Sequence, residues 1–206
     1  TRGTTYYVIG TSVTETTFSV TETLNGITPV ALDNFTSQMY VYGGDALSDM
    51  FRCHNGTGIR NMTLSGLLGC LTPENIYSTR RPTGGAYVTL DTGNGQDDTR
   101  AWIYRKSPYI QNVTTFGKGC IGMKIDGSLH NGGNKSIVCN DFTQIVSDGI
   151  GIWCTGAGSL CEAVSVFSYY NYIGYLAENG GKIRATNGNN SYGTFGAVAE
   201  YIDISE

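Results

Sequence analysis

The chain has 206 residues, 29 of them glycine, with 15% charged residues and a formal net charge of -4; globular domains ordinarily carry about 25% charged residues and about 7% glycine. This balance disfavours helices. With no basic cluster beyond Arg80-Arg81, it also excludes the concentrated Lys and Arg that neutralise a phosphate backbone, so no nucleic-acid partner is expected. No apolar run approaches the roughly 20 residues that span a bilayer, so no membrane insertion is expected, and the absence of an initiator Met and of a signal-peptide pattern reads as a piece of a longer protein.

From the N-terminus, Thr5-Tyr6-Tyr7-Val8-Ile9, Thr17-Phe18-Ser19-Val20 and Met39-Tyr40-Val41-Tyr42 are strand-like runs separated by polar turns. Asn25-Gly26 is a tight-turn signal, because both residues tolerate positive φ. These runs define a small N-terminal β module over residues 1–44, closed by Gly43-Gly44-Asp45.

Residues 45–206 carry a loose repeat. Gly58-Ile59-Arg60-Asn61-Met62-Thr63-Leu64-Ser65-Gly66 aligns with Tyr109-Ile110-Gln111-Asn112-Val113-Thr114-Thr115-Phe116-Gly117. A strand period of two places Ile, Asn and Thr of each segment on one face. Further strands of this series begin at Ile137, Ala163 and Ile183, at spacings of 27, 26 and 20 residues after Ile110.

A second series appears in Ile150-Gly151-Ile152-Trp153, Ile173-Gly174-Tyr175-Leu176 and Phe195-Gly196-Ala197-Val198, at spacings of 23 and 22 residues. Two strand series with one common spacing predict an all-β fold, a right-handed parallel β-helix, in which every coil returns to the same place one strand further on. The 51 residues between Ile59 and Ile110 predict one additional coil, 86–90 (AYVTL), with long loops between about 68 and 108.

Two residue types suit such a stack. Asparagine can donate and accept along a ladder and tolerates left-handed corners. The six cysteines have no CxxC spacing and no nearby His at metal-ligand distance. They are expected as buried thiols, with Cys139, Cys154 and Cys161 inside apolar strands, although their even number also permits disulfides. Six N-x-Ser/Thr sequons, at Asn34, Asn55, Asn61, Asn112, Asn134 and Asn189, are what chance produces in a chain this rich in Asn, Ser and Thr.

The segments 148–154 (DGIGIWC), 162–170 (EAVSVFSYY) and 173–192 (IGYLAENGGKIRATNGNNSY) resemble virion structural proteins of tailed phages infecting marine cyanobacteria. Upstream, 60–66 (RNMTLSG), 81–87 (RPTGGAY) and 126–134 (DGSLHNGGN) fit the same family, so the resemblance covers most of residues 45–200. The N-terminal 5–10 (TYYVIG) is similar to small β modules of phage tail and fibre proteins. The resemblance implies a structural polypeptide of the virion, in the tail, a fibre or the baseplate. Its partners would be other virion proteins, copies of itself as a homotrimer and the host-surface polysaccharide, and it implies no catalytic motif and no cofactor.

The enzymatic alternative is glycan cleavage, since β-helices host many functions and glycoside hydrolysis needs two carboxyl groups roughly 5 to 9.5 Å apart. Asp141 and Glu162, one coil apart, are the best pair, but surface carboxylates are the stronger reading. Asp126 and Asp148 each precede a glycine and read as turns. His54 and His130 sit in turns as well. Asp97-Asp98 lies in 91–98 (DTGNGQDD), which is oxygen-rich but lacks the spacing and terminal Glu of an EF-hand, so no metal is expected. Tyr169, Tyr170, Tyr172 and Tyr175 cluster in sequence and are candidates for a subunit interface or a sugar-stacking surface. Alternation would put Tyr170 and Tyr172 on one face.

Overall fold

The computed structural model describes residues 7–8, 20–21, 49–67, 69–77, 81–82, 85–90, 106–129 and 135–200. The chain divides into two units, Thr1–Val41 and Tyr42–Glu206. In the first, strands β1 (Tyr7–Val8) and β2 (Val20–Thr21) pair antiparallel, with Tyr7 opposite Thr21 and Val8 opposite Val20. The Asn25-Gly26 turn, the run at Met39 to Tyr42 and the boundary at Gly44 lie outside the described residues.

The second unit is all-β, with two parallel sheets. One sheet orders β14 (Phe195–Glu200), β11 (Ile173–Glu178), β9 (Ile150–Thr155), β7 (Ile121–Asp126), β5 (Ala86–Leu90) and β3 (Phe51–Cys53). The other orders β12 (Lys182–Thr186), β10 (Leu160–Tyr169), β8 (Ser136–Ser147), β6 (Tyr109–Lys118) and β4 (Gly58–Ser65), with β13 (Asn189–Ser191) also paired to β10. We call them the flanked sheet and the open sheet. From β3 to β14 the chain alternates between them, taking β12 and β13 together, and each strand pairs with a neighbour from the next pass. Apart from the 3-10 turn Gly127–Leu129, the described residues contain no helix.

Strands of the open sheet bend at one left-handed residue per pass. Asn61, Asn112, Asp141 and Ser165 have φ of 56°, 50°, 50° and 51°, and Asn187, just beyond β12, has 55°. The pairing places all five in one column, between Arg60↔Gln111 and Met62↔Val113 and at the matching points of the later strands. A left-handed L-residue costs about 1–2 kcal/mol, least for Asn and Asp, whose short polar side chains bond locally. The Asn112 amide donates to Asn61 Oδ1 at 3.0 Å, which is the first rung of the expected asparagine ladder; Asp141 and Ser165 then replace Asn in the column.

That bend corrects two expectations. Period two does not hold through the strands: Ile59 and Ile110 are buried, whereas Asn61 and Asn112 are exposed, and inward positions resume at Leu64 and Val113. A residue with positive φ resets the alternation of side chains. Nor is 86–90 an additional coil. Ile59 pairs directly with Ile110, and β5 belongs to the flanked sheet of the same pass, so the 51-residue gap is one pass enlarged by an insertion.

One core draws on both sheets, including Ile110, Val113, Phe142 and Val166 from the open sheet and Val88, Met123, Ile152 and Tyr175 from the flanked one. All six cysteines are free thiols, and Cys139, Cys154 and Cys161 lie in this core as expected. Burial pushes the Cys154 thiol above its ordinary range. Beside Cys139, which is 4.0 Å away sulfur to sulfur, the Cys161 thiol is pushed up further.

A second cluster lies on the flanked sheet and takes no residue from the open sheet. Ile121, Ile150 and Ile173 pair in one column and pack with Trp153, Leu176, Leu71 and Ile76. Leu71 and Ile76 come from the insertion after β4. The sheet therefore buries both faces through most of its strands, which explains its near-continuous apolar runs.

Candidate functional site

Tyrosines gather where β10 leaves the open sheet. Tyr169 is half-buried, its ring stacked on Phe167 at 6.5 Å and 6°. Tyr170 takes a left-handed turn with φ 62°, and Tyr192, one pass later, does the same with φ 59°. The Tyr170 N–H donates to Ser191 O at 3.1 Å. The two rings stack at 5.4 Å and 19°, yet Tyr170 is 56% and Tyr192 78% exposed. Bulky residues in this conformation are strained, so the turns hold two large rings in water at a cost to stability.

Tyr172 points elsewhere. It packs edge-to-face with Phe195 at 5.6 Å and with Tyr77 at 6.3 Å, and Tyr77 meets Phe195 at 6.3 Å. The expected shared face of Tyr170 and Tyr172 is thus divided into two clusters by the left-handed turn. Tyr175 is a core residue: its hydroxyl donates to Val166 O at 3.2 Å, and burial pushes its pKa up to about 12. It is not placed to meet a partner.

The candidate carboxylates sit at separate points of the strands and turns. Asp141 is exposed at the left-handed column, level with Ser165. Glu162 precedes that level by three residues, about 10 Å along a strand, and its Oε1 is held by Arg184 Nη1 at 2.8 Å. Glu162 is paired with Val138, not with Asp141. Asp126 accepts from the Ser128 N–H and hydroxyl, as a turn Asp does, and Asp148 faces Lys118 at 3.3 Å. His54 is exposed. His130, Asp97, Asp98, Asn34 and Asn134 lie outside the described residues; of the other sequon asparagines, Asn55 is buried and Asn61, Asn112 and Asn189 are exposed. Among the described residues, no three His, Cys, Asp or Glu side chains group to hold a metal.

Sequence reading missed a buried ionic cluster on the flanked sheet. The Trp153 indole N–H donates to Glu178 Oε1 at 2.9 Å, and Arg81 Nη2 donates to Glu178 Oε2 at 2.9 Å. The Arg81 guanidinium and the Lys124 ammonium each lie 4.6 Å from the centre of the Trp153 ring. Lys124 also faces Asp126 at 3.6 Å, and burial pulls its pKa below the usual lysine range. Such cation–π and charge-assisted contacts strengthen when desolvated. They fix Arg81, in the insertion, to the sheet. A signal was available: Ile121-Gly122-Met123-Lys124 repeats the Ile-Gly pattern of 150–153 and places Lys124 opposite Trp153, where the pairing has it.

Compared with protein-family models, curated proteins and solved structures, the chain finds no match in any of the three. Among the described residues, aromatic rings gather in the Tyr170–Tyr192 stack and in the Tyr77–Tyr172–Phe195 cluster.

Proposed function

We propose that this chain is a rigid structural segment of a phage particle, with its second unit wound as a right-handed parallel β-helix and assembled as a homotrimer in a tail, fibre or baseplate. The observation that carries the reading is the in-register column Asn61, Asn112, Asp141, Ser165 and Asn187, one left-handed residue per pass. A solenoid needs its chain to turn at the same height in every coil. The right hand follows from the general rule for parallel strands joined by crossovers in one sheet. The virion assignment rests on the family resemblance of residues 45–200. Tyr170, Tyr192, Tyr77 and Phe195 supply the contacts between copies, because exposed aromatic rings suit protein interfaces.

The test is direct. Antibodies raised against the chain should decorate the tail or fibres of the cyanophage that encodes it, and light scattering should return three chains per particle of the purified protein. Labelling confined to infected-cell lysate and absent from purified particles would sink the virion reading.

The stacked, exposed Tyr170–Tyr192 pair also favours a second reading, recognition of a host-surface glycan by ring stacking. Incubation with cyanobacterial surface polysaccharide separates this from cleavage: binding that Tyr192→Ala abolishes without any shortening of the chains supports recognition, and shortened chains support a depolymerase. With Glu162 held by Arg184, binding without shortening is expected.

A further inference from the structure

Thr115, Gln144, Ser168 and Asn190 form one paired column of the open sheet, and the first three are buried. Opposite them stand Gly122, Gly151, Gly174 and Gly196, each one residue after the paired Ile121, Ile150, Ile173 and Phe195. The two columns interlock. A Cβ on Gly122 would overlap Gln144 Oε1, one on Gly174 would overlap Asn190 Oδ1, and one on Gly151 would stand 2.7 Å from Asn171 Nδ2 and 3.0 Å from Ser168 Oγ. Polar side chains thus point into the space that the glycines leave free.

Four atoms here have no protein partner: Gln144 Nε2, Ser168 Oγ, Asn171 Nδ2 and Asn190 Oδ1. Two are chemically assigned by their neighbours. Asn171 Oδ1 accepts the Val146 N–H at 2.9 Å, so its Nδ2 must be the inward donor. Asn190 Nδ2 donates to Gly196 O at 2.9 Å, so its Oδ1 must be the inward acceptor. A cavity of about 60 Å³ adjoins Ser168, Asn171, Gly174 and Asn190, large enough for water on the measure that one molecule needs about 10–15 Å³.

We propose that the end of this polar column, at Ser168, Asn171 and Asn190, is a binding site for ordered water molecules. A water molecule accepts from the Asn171 amide while donating to the Asn190 oxygen, and it is small enough for this space; the Ser168 hydroxyl can serve either role. A metal cation would meet an N–H pointing at it. Buried polar groups are costly without partners, and a water bonded to two or more of them removes that cost.

A high-resolution crystal structure of the full chain should show ordered solvent at about 2.7–3.2 Å from Ser168 Oγ and Asn171 Nδ2. These side chains paired directly with protein groups, or a cation with all-oxygen contacts, would overturn the proposal. Ser168→Ala gives an independent sign test, because Ser168 Oγ bonds to no protein atom. Loss of a water-bonded hydroxyl should lower the melting temperature by about 2–4 °C. An unchanged or raised melting temperature means that the hydroxyl is a true orphan, and overturns the proposal as well.

Discussion

The two sheets of the second unit solve the same problem differently. The open sheet alternates buried and half-exposed side chains in β6, β8 and β10, whereas β5 and β9 of the flanked sheet are buried at every residue. One face of the flanked sheet meets the shared core. Its other cluster is packed by Leu71 and Ile76 and fastened by Arg81. At β14 that cover thins to Tyr77 beside Phe195, which is exposed. A parallel sheet buried on both faces needs such a covering segment, so the insertion after β4 is a structural part rather than a dispensable loop.

Removing the cover should therefore hurt one sheet more than the other. Ile76, fully buried, anchors the insertion. Ile76→Ala should cost about 2–5 kcal/mol, the range for large-to-small core changes, read by urea unfolding. Amide exchange should quicken in β7, β9 and β11 while β6 and β8 keep their protection. Equal loss of protection in both sheets would break the distinction drawn between them.

Glu178→Gln probes the fastening of the same cover. It keeps the shape but removes the charge that holds Arg81 Nη2 and the Trp153 N–H, leaving a guanidinium with 16% side-chain exposure beside a neutral amide. The expected loss is about 1.5–3 kcal/mol, the scale of hydrogen bonds to charged groups. Full stability in this variant would mean that Arg81 is held by ring stacking alone.

These two residues also show where sequence reading ran out. The pairing of β4 with β6 was legible because the aligned segments share Ile and Asn at the same offsets, and the observed register Ile59↔Ile110 is that alignment. Strands β9, β11 and β14 were legible through their repeated glycine, which faces the polar column. The left-handed bends were not, since Asn61, Asp141 and Ser165 are residue types equally at home in loops, and missing them gave the wrong alternation and placed Tyr170 with Tyr172. The covering insertion has no period at all. The cluster of Arg81, Lys124, Trp153 and Glu178 joins residues far apart in sequence, so only Lys124 and Trp153, one pass apart, could have been paired beforehand.

High pH acts on the shared core. Burial raises the Cys120 thiol to about 11 from 9.0, so the folded state keeps a proton that the unfolded chain releases between these values. Stability present below pH 9 is lost as pH rises through that window, by about 1.4 kcal/mol at pH 10 for Cys120 alone. Tyr175, pushed up to about 12 from 10.0, adds a loss of the same sign above pH 10. Lys124 opposes them: its lowered pKa means that deprotonation favours the folded state as pH climbs toward 10.5. Urea midpoints at pH 8 and pH 10 should fall with pH, and Lys124→Met should steepen that fall; a midpoint that rises would show that Lys124 dominates.

The smallest effect belongs to the uncovered side of the open sheet. Val164 lies on β10 at 37% exposure, paired with Asn140 on one side and Thr186 on the other. Val164→Thr preserves β-branching and hence strand preference, and it exchanges one methyl for a hydroxyl that water reaches. Were this side covered as the flanked sheet is, the same change would strand a hydroxyl in an apolar setting and cost about 1–3 kcal/mol. An exposed position predicts a change within about 0.5 kcal/mol. A larger loss in the assembled protein, with none in the isolated chain, would mean that another copy covers the open sheet and does for it what Leu71 and Ile76 do for its neighbour.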